Sequence, residues 1–165
     1  MDQLHFKSAI DIARLIRKRE ISAAETLEHF LARVVKYNPK LNAIIWLDAE
    51  GGRKRAKEAD AALARGQVWG PLHGVPMTIK ESYNVAGSPT TWGDSKLRNN
   101  VTETSALAVE RLEKAGVAVQ EQITAGNETG MRQHIAAELI WIAGDQGLPQ
   151  ILQRFATRVG IASLR

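Results

Sequence analysis

Apolar residues recur at helical spacing in two short segments at the start of the chain. In "SAIDIARLIRKRE" Ile12, Leu15 and Ile16 fall on one face, and Ser8 with Asp11 three residues on has the pattern of a capping box, so a helix is predicted over 9–18. Ser22 and Glu25 repeat that pattern ahead of the stripe Leu27, Phe30, Leu31, Val34 and Val35. This predicts a helix over 23–37, with Asn38-Pro39 as its stop. The compact apolar run "NAIIWLD" then reads as a buried strand, and "EGGRKRAKEADAALARG" as a helix over 50–65 closed by Gly66 as a left-handed C-cap. "VPMTI" is a second short strand. "TSALAVERLEKAG" is an amphipathic helix over 104–115 with Leu107, Val109 and Leu112 on or near its buried side and Gly116 as its stop, after which "VAV" resumes as strand. Between them "ESYNVAGSPTTWGDS" carries the glycines, proline and hydroxyls of turns, and an irregular stretch after a strand is where sites tend to be built.

Strands alternating with helices predict an α/β fold in which N-terminal helices precede a mixed or parallel sheet. The 165 residues suit one domain, and no repeat, low-complexity tract or linker divides them. Residues 120–165 differ in kind from 1–119. They contain apolar pieces ("AAELIWIAG", "LPQILQRFATRVG") without the earlier rhythm, and no lysine occurs after Lys114.

Charge and composition narrow the chemistry. The net charge of +4 comes from basic residues interleaved with acids, and the dense runs "RKRE" and "GGRKRAKE" lack aromatic neighbours, so they read as solvated helix faces and no nucleic-acid partner is expected. The chain has no cysteine, which excludes disulfides and thiolate chemistry and leaves serine, threonine or lysine for any covalent step. The first twenty residues mix charges throughout and match neither a secretory signal nor a membrane span, so the expectation is a cytoplasmic protein with no membrane partner. His5, His29, His73 and His134 show no ligand spacing; no metal or cofactor is expected, and His73 reads as a loop-packing or hydrogen-bonding residue. The four tryptophans read as core or loop anchors, Trp46 in a strand and Trp92 in a turn.

The chemistry-bearing candidate is Lys80, at the end of the apolar run in "GPLHGVPMTIKES". Strand alternation puts Thr78 and Lys80 on one face and Ile79 and Glu81 on the other, so with Ile79 in the core Lys80 points into whatever covers the opposite side. A lysine stripped of water there can serve as a general base for a neighbouring hydroxyl, but from these residues alone an ordinary solvated lysine is the favoured reading. Ser82, Ser88 and Ser95 are nearby hydroxyls, but none lies in a strained glycine elbow, and all three read as turn-stabilising residues.

The segment "GPLHGVPMTIKESYNVAGSPTTWG" resembles the lysine block of the amidase signature family, where a strand leads to Lys within G-V-P-x-x-I-K-[DE] and a G-x-x-T-T-x-G turn follows. "EISAAETLEHFLARVVKYNPKLNAIIWLD", "AKEADAALARGQVWGPLHG" and "ETSALAVERLEKAGVAV" are similar to the family's flanking helices and strand, in the same order. Together they cover about the first 119 residues. The resemblance implies an incomplete amidase-signature α/β/α fold, a small-molecule amide as substrate, and a Ser, cis-Ser, Lys triad in which Lys80 is the base. Thr90, Thr91 and Gly93 match the turn. Asp94 stands where the family often has serine and is assigned no role.

The resemblance places both triad serines in a later G-G-S-S-G-G-S run, and the 165 residues contain no such run. The chain therefore reads as a truncated, inactive fragment of an amide hydrolase. Its tail reads as a shifted frame: codons for Gln146 to Gly160 can be written to give Gly-Thr-Thr-Pro-Asn-Pro-Ser-Glu-Ile-Arg-Tyr-Pro-Gly-Gly, which resembles the family's segment before the serines. The alternative is a non-catalytic interaction module on the family's N-terminal scaffold, self-associating through exposed apolar surface.

Overall fold

The computed structural model describes residues 4–123. After a short 3-10 turn at Leu4–Phe6, helix α1 runs Ala9–Arg17, α2 Ala23–Leu41 and α3 Ala49–Ala64. The starts of α1 and α2 follow the predicted caps, with one difference of reach. At α2 the box is complete: Ser22 Oγ accepts from Glu25 N–H at 3.0 Å, and the Glu25 carboxylate accepts from Ser22 N–H at 2.9 Å. At α1 Ser8 Oγ accepts from Asp11 N–H at 3.1 Å, but the Asp11 carboxylate, one methylene shorter than glutamate, takes the Ser8 hydroxyl at 2.7 Å. Asp60 of α3 adds a cap from outside, accepting Ala23 N–H at 2.7 Å and Ala24 N–H at 3.0 Å, so the N–H groups of residues 22 to 25 at the start of α2 are all bonded.

Asn38-Pro39 does not stop α2. The helix carries Pro39 in its last turn and ends four residues later than predicted, at Leu41, with Asn42 left-handed at φ 47° and its N–H on Asn38 O at 2.7 Å. Asn38 makes that ending. Its Oδ1 accepts the N–H groups of Ala43 and Ile44, both at 2.9 Å, and its Nδ2 donates to Ile44 O at 2.9 Å. The chain is thereby turned into strand β1, Ile44–Leu47. Helix α3 ends as expected: Gly66 has φ 75°, and Gln67 N–H closes back on Ala62 O at 2.9 Å.

The core lies where these three helices meet. Ile12 and Ile16 of α1, Leu27 and Phe30 of α2, and Leu63 of α3 are buried with Val75. Each such side chain contributes about 1.5–3 kcal/mol. Ala56 and Ala59 face the same cluster, where small side chains let α3 approach closely.

The sheet is mixed, as predicted, in the order β1-β3-β2. Strand β2 is Pro76–Lys80 and pairs parallel with β3, Ala118–Ile123, which pairs antiparallel with β1. Strand β3 thus runs four residues past the predicted Val119. The expectation that β1 is fully buried needs correcting: Ile44 is 5% exposed, but Ile45 and Leu47 are 40% and 39% exposed, because β1 is the end strand of the described sheet. Helix α4 is shorter than predicted, Leu107–Lys114, with Val109 buried and Leu107 60% exposed. Its N-cap, Ala106, has no side-chain acceptor to cap it, and the Ser105 hydroxyl before it accepts Ala86 N–H at 3.0 Å. The expectations for the apolar pieces of the tail fall outside the described residues.

Replacing Asn38 with Ala leaves the N–H groups of Ala43 and Ile44 without their acceptor. We expect Asn38→Ala to lower unfolding stability by about 2 kcal/mol. Lys40→Ala, on the exposed side of the same turn, should stay within about 0.5 kcal/mol in the same denaturant titration.

Candidate active site around Lys80

Strand β2 is set in place by the loop before it. Leu72 N–H donates to Ala115 O at 2.8 Å and Gly74 N–H to Gly116 O at 2.9 Å, and Ala118 N–H then donates to Val75 O at 2.9 Å. These bonds bring the loop against the α4–β3 turn and start the parallel pairing. His73 fixes the loop from inside. It is fully buried, its Nδ1 accepts Trp69 N–H at 3.1 Å, and its Nε2 lies 3.1 Å from Ala59 O. One partner is a donor and the other an acceptor, which selects the neutral ring with its proton on Nε2. The predicted hydrogen-bonding role of His73 is the observed one.

The register about Lys80 is the predicted one. Residues 76–80 are extended, Ile79 is 5% exposed and packs inward, and Lys80 ends the strand with its side chain in solvent. Glu81, on the Ile79 side, is 1% exposed. Its Oε1 accepts the N–H groups of both Thr91 and Trp92, the latter at 2.7 Å, and so joins the strand end to the turn of the T-T-x-G pattern. Within that turn Trp92 and Gly93 have φ 53° and 74°, and Gly93 N–H donates to Thr91 Oγ1 at 3.2 Å. Thr90 is buried beneath it. Its N–H donates to Asn100 O at 2.8 Å, and Asn100 Nδ2 donates to Thr90 O at 2.8 Å.

The other candidates separate by environment. Ser88 is fully buried and donates its hydroxyl to Val85 O at 2.7 Å, the turn-stabilising role expected of it. Ser95 is exposed in a 3-10 turn, Ser95–Leu97, and Ser82 is half-buried. Asp94, assigned no role from sequence, caps that turn by accepting Lys96 N–H at 2.8 Å; an Asp two residues before a free N–H is a legible Asx signal. His5 and His29, far apart in sequence, stack with ring centroids 5.6 Å apart. Trp69 lies under the Arg55 guanidinium at 3.9 Å and anchors its loop, whereas the Trp92 indole is 67% exposed, so the expectation of an anchoring ring fails at that position. His134 lies outside the described residues. Among the described residues no helix is long and apolar enough to cross a membrane.

The chain belongs to the amidase family, whose profile matches residues 25–121. It is 34% identical over 119 residues to a component of the glutamyl-tRNA(Gln) amidotransferase of Acidothermus cellulolyticus, a match covering 72% of this chain and 24% of that protein. It is 38% identical over 113 residues to an acylamidase of Rhodococcus erythropolis, covering 68% and 24%. Among solved structures it superposes on a fatty acid amide hydrolase with a TM-score of 0.70 at 27% identity, covering 74% of this chain and 22% of that one. The chain thus spans about a quarter of the length of the curated relatives it matches.

Burial lowers the pKa of His73 from its ordinary 6.5, and the hydrogen bond to Ala59 O opposes that shift only in part. In the unfolded chain the ring takes a proton near 6.5, whereas in the folded protein it resists to lower pH. The native state therefore binds fewer protons in that window. The stability His73 contributes is fully present above about 6.5 and is lost as the pH falls below it. Melting temperatures at about pH 8 and about pH 5 should show a larger drop for the parent chain than for His73→Gln.

Proposed function

We propose that this chain carries the base side of an amide-hydrolysing site, with Lys80 as the residue that takes the proton of a nucleophilic hydroxyl. The observation that carries the reading is the geometry at the end of β2: Lys80 faces outward, and the next residue, Glu81, holds the T-T-x-G turn. The names of its relatives, an acylamidase and a fatty acid amide hydrolase, support amides as the substrate class. Hydrolysis needs a hydroxyl to attack the carbonyl, a path for its proton to the lysine amine, and return of that proton to the leaving nitrogen before water releases the acid. Lys80 supplies the proton acceptor. The serine nucleophile and relay implied by the family's pattern have no counterpart among the 165 residues, so this polypeptide by itself turns over no amide. A cytoplasmic location belongs to the same reading.

Two measurements test it. The purified 165-residue chain and its Lys80→Ala variant should hydrolyse a panel of aliphatic and aryl amides at the same background rate. A chimera in which residues 1–121 of this chain replace the matching segment of the Rhodococcus erythropolis acylamidase should hydrolyse amides, and Lys80→Ala in it should reduce kcat by about 10²–10⁴. A folded chimera indifferent to Lys80→Ala removes the reading and leaves a non-catalytic scaffold, associating through exposed side chains such as Trp92 and Leu107, in its place.

A further inference from the structure

We infer that Glu81 is a positioning residue for the Lys80 site, holding the Thr91–Gly93 turn to the end of β2 through one carboxylate oxygen. The inference rests on the reading of Lys80 as a proton acceptor. Lys80 and Glu81 are consecutive, so their side chains leave the strand on opposite sides, one into solvent and the other into the protein. A carboxyl group buried that deeply is unfavourable by several kcal/mol unless donors meet it. Oε1 meets two, the successive N–H groups of Thr91 and Trp92, while Oε2 is buried with no partner among the described residues. Successive N–H groups converging on one oxygen make an anion-binding nest.

The nest is held against a backbone preference. Trp92 at φ 53° adopts a conformation that a bulky side chain avoids, and its exposed ring offers no packing to compensate. What compensates is the Glu81 oxygen. The bonds between Thr90 and Asn100 fix the loop to itself, whereas those to Glu81 fix it to the strand that carries Lys80. The turn cannot slide without leaving a buried carboxyl bare, and the strand end cannot shift without dragging the turn. A base works only within hydrogen-bond reach of its proton donor, where a displacement of about 1 Å is enough to matter.

The test uses the 165-residue protein in three forms, parent, Glu81→Gln and Glu81→Asp. Amide hydrogen exchange reads the turn, and the pH profile of acetylation by acetic anhydride, located by mass spectrometry, reads Lys80. Gln offers the same two N–H groups a neutral acceptor about half as strong. In Glu81→Gln we expect protection in α1–α3 to stay, exchange at Thr91 and Trp92 to quicken about tenfold, and the Lys80 profile to move by about threefold in rate at a fixed pH. Glu81→Asp should recover at least half of each change, and it carries the same readouts if the Gln form loses cooperative folding. Unchanged exchange at Thr91 and Trp92 overturns the clamp. A loosened turn with an unmoved Lys80 profile makes Glu81 a loop-folding residue and overturns the positioning role, as does an Asp form with no recovery. None of these readouts needs turnover. The inference can therefore fail while Lys80→Ala still disables the acylamidase chimera, and the chimera can fail while the clamp stands.

Discussion

The backbone contact between the loop at residues 70–75 and the turn at 115–118 is the constraint from which the rest of the described structure follows. Three hydrogen bonds cross it, and they can form only because the two chains approach without side chains between them. A Cβ on Gly70 would lie 2.5 Å from Ala115 O, and one on Gly116, at φ 96°, would lie 3.0 Å from His73 Cα. Both positions are therefore closed to any larger residue. Once the contact is made, β2 has to enter the sheet beside β3 in parallel, because Ala118 N–H is already committed to Val75 O. The place where β2 ends, and with it Lys80, is fixed by steric exclusion some ten residues upstream. The same contact explains why the polar ring of His73 is tolerated in the interior, since both its nitrogens are used to hold the loop in the shape that the glycines permit.

Local rules read from the residues alone found most of the elements. Ser22 with Glu25, Gly66 after an alanine-rich helix and the alternation about Ile79 each encode their structure within a few neighbours, and each is found as read. The misses share a cause, which is that a longer-range partner overrode a local signal. Pro39 should have ended α2, but Asn38 reaches forward to Ala43 and Ile44 and lets the last turn form around the proline. Helix α4 was read from residue 104, but it starts at Leu107 without a side-chain cap, and the Ser105 hydroxyl before it is taken by Ala86 N–H. The run "NAIIWLD" looks uniformly apolar, but only a strand with neighbours on both sides and both faces buries every residue, and among the described residues β1 is an end strand.

Of the candidate site, Lys80 was legible in the sequence and its support was not. Lys80 stood out through the resemblance of the block around G-V-P-x-x-I-K, since a cation closing an apolar run under a Gly/Pro loop reads by itself as an ordinary solvated lysine. Glu81 stood out only as the partner of Ile79 in the alternation, since nothing in "KES" tells that the acid is buried or that residues ten and eleven positions on will bond it. Side-chain direction is a property of the strand, whereas the acceptor's partners are a property of how the irregular segment folds back. Irregular segments lack the periodicity from which partners can be read.

This division bears on how the site is built. The hydrogen bonds and pairings that place the Lys80 backbone among the described residues come mainly from residues between Ala59 and Ile123: the carbonyl that holds His73, the glycine contact, the pairing of β2 with β3, and the turn gripped by Glu81. Placement of Lys80 is therefore a local property of this part of the fold. Its reactivity is a different matter, because the Lys80 side chain is exposed among the described residues, and a lysine amine becomes a useful base through what covers it and what hydroxyl reaches it. Positioning and activation are thus physically separable at this site. The Glu81 bonds to Thr91 and Trp92 belong to the first and are complete among the described residues, whatever supplies the second.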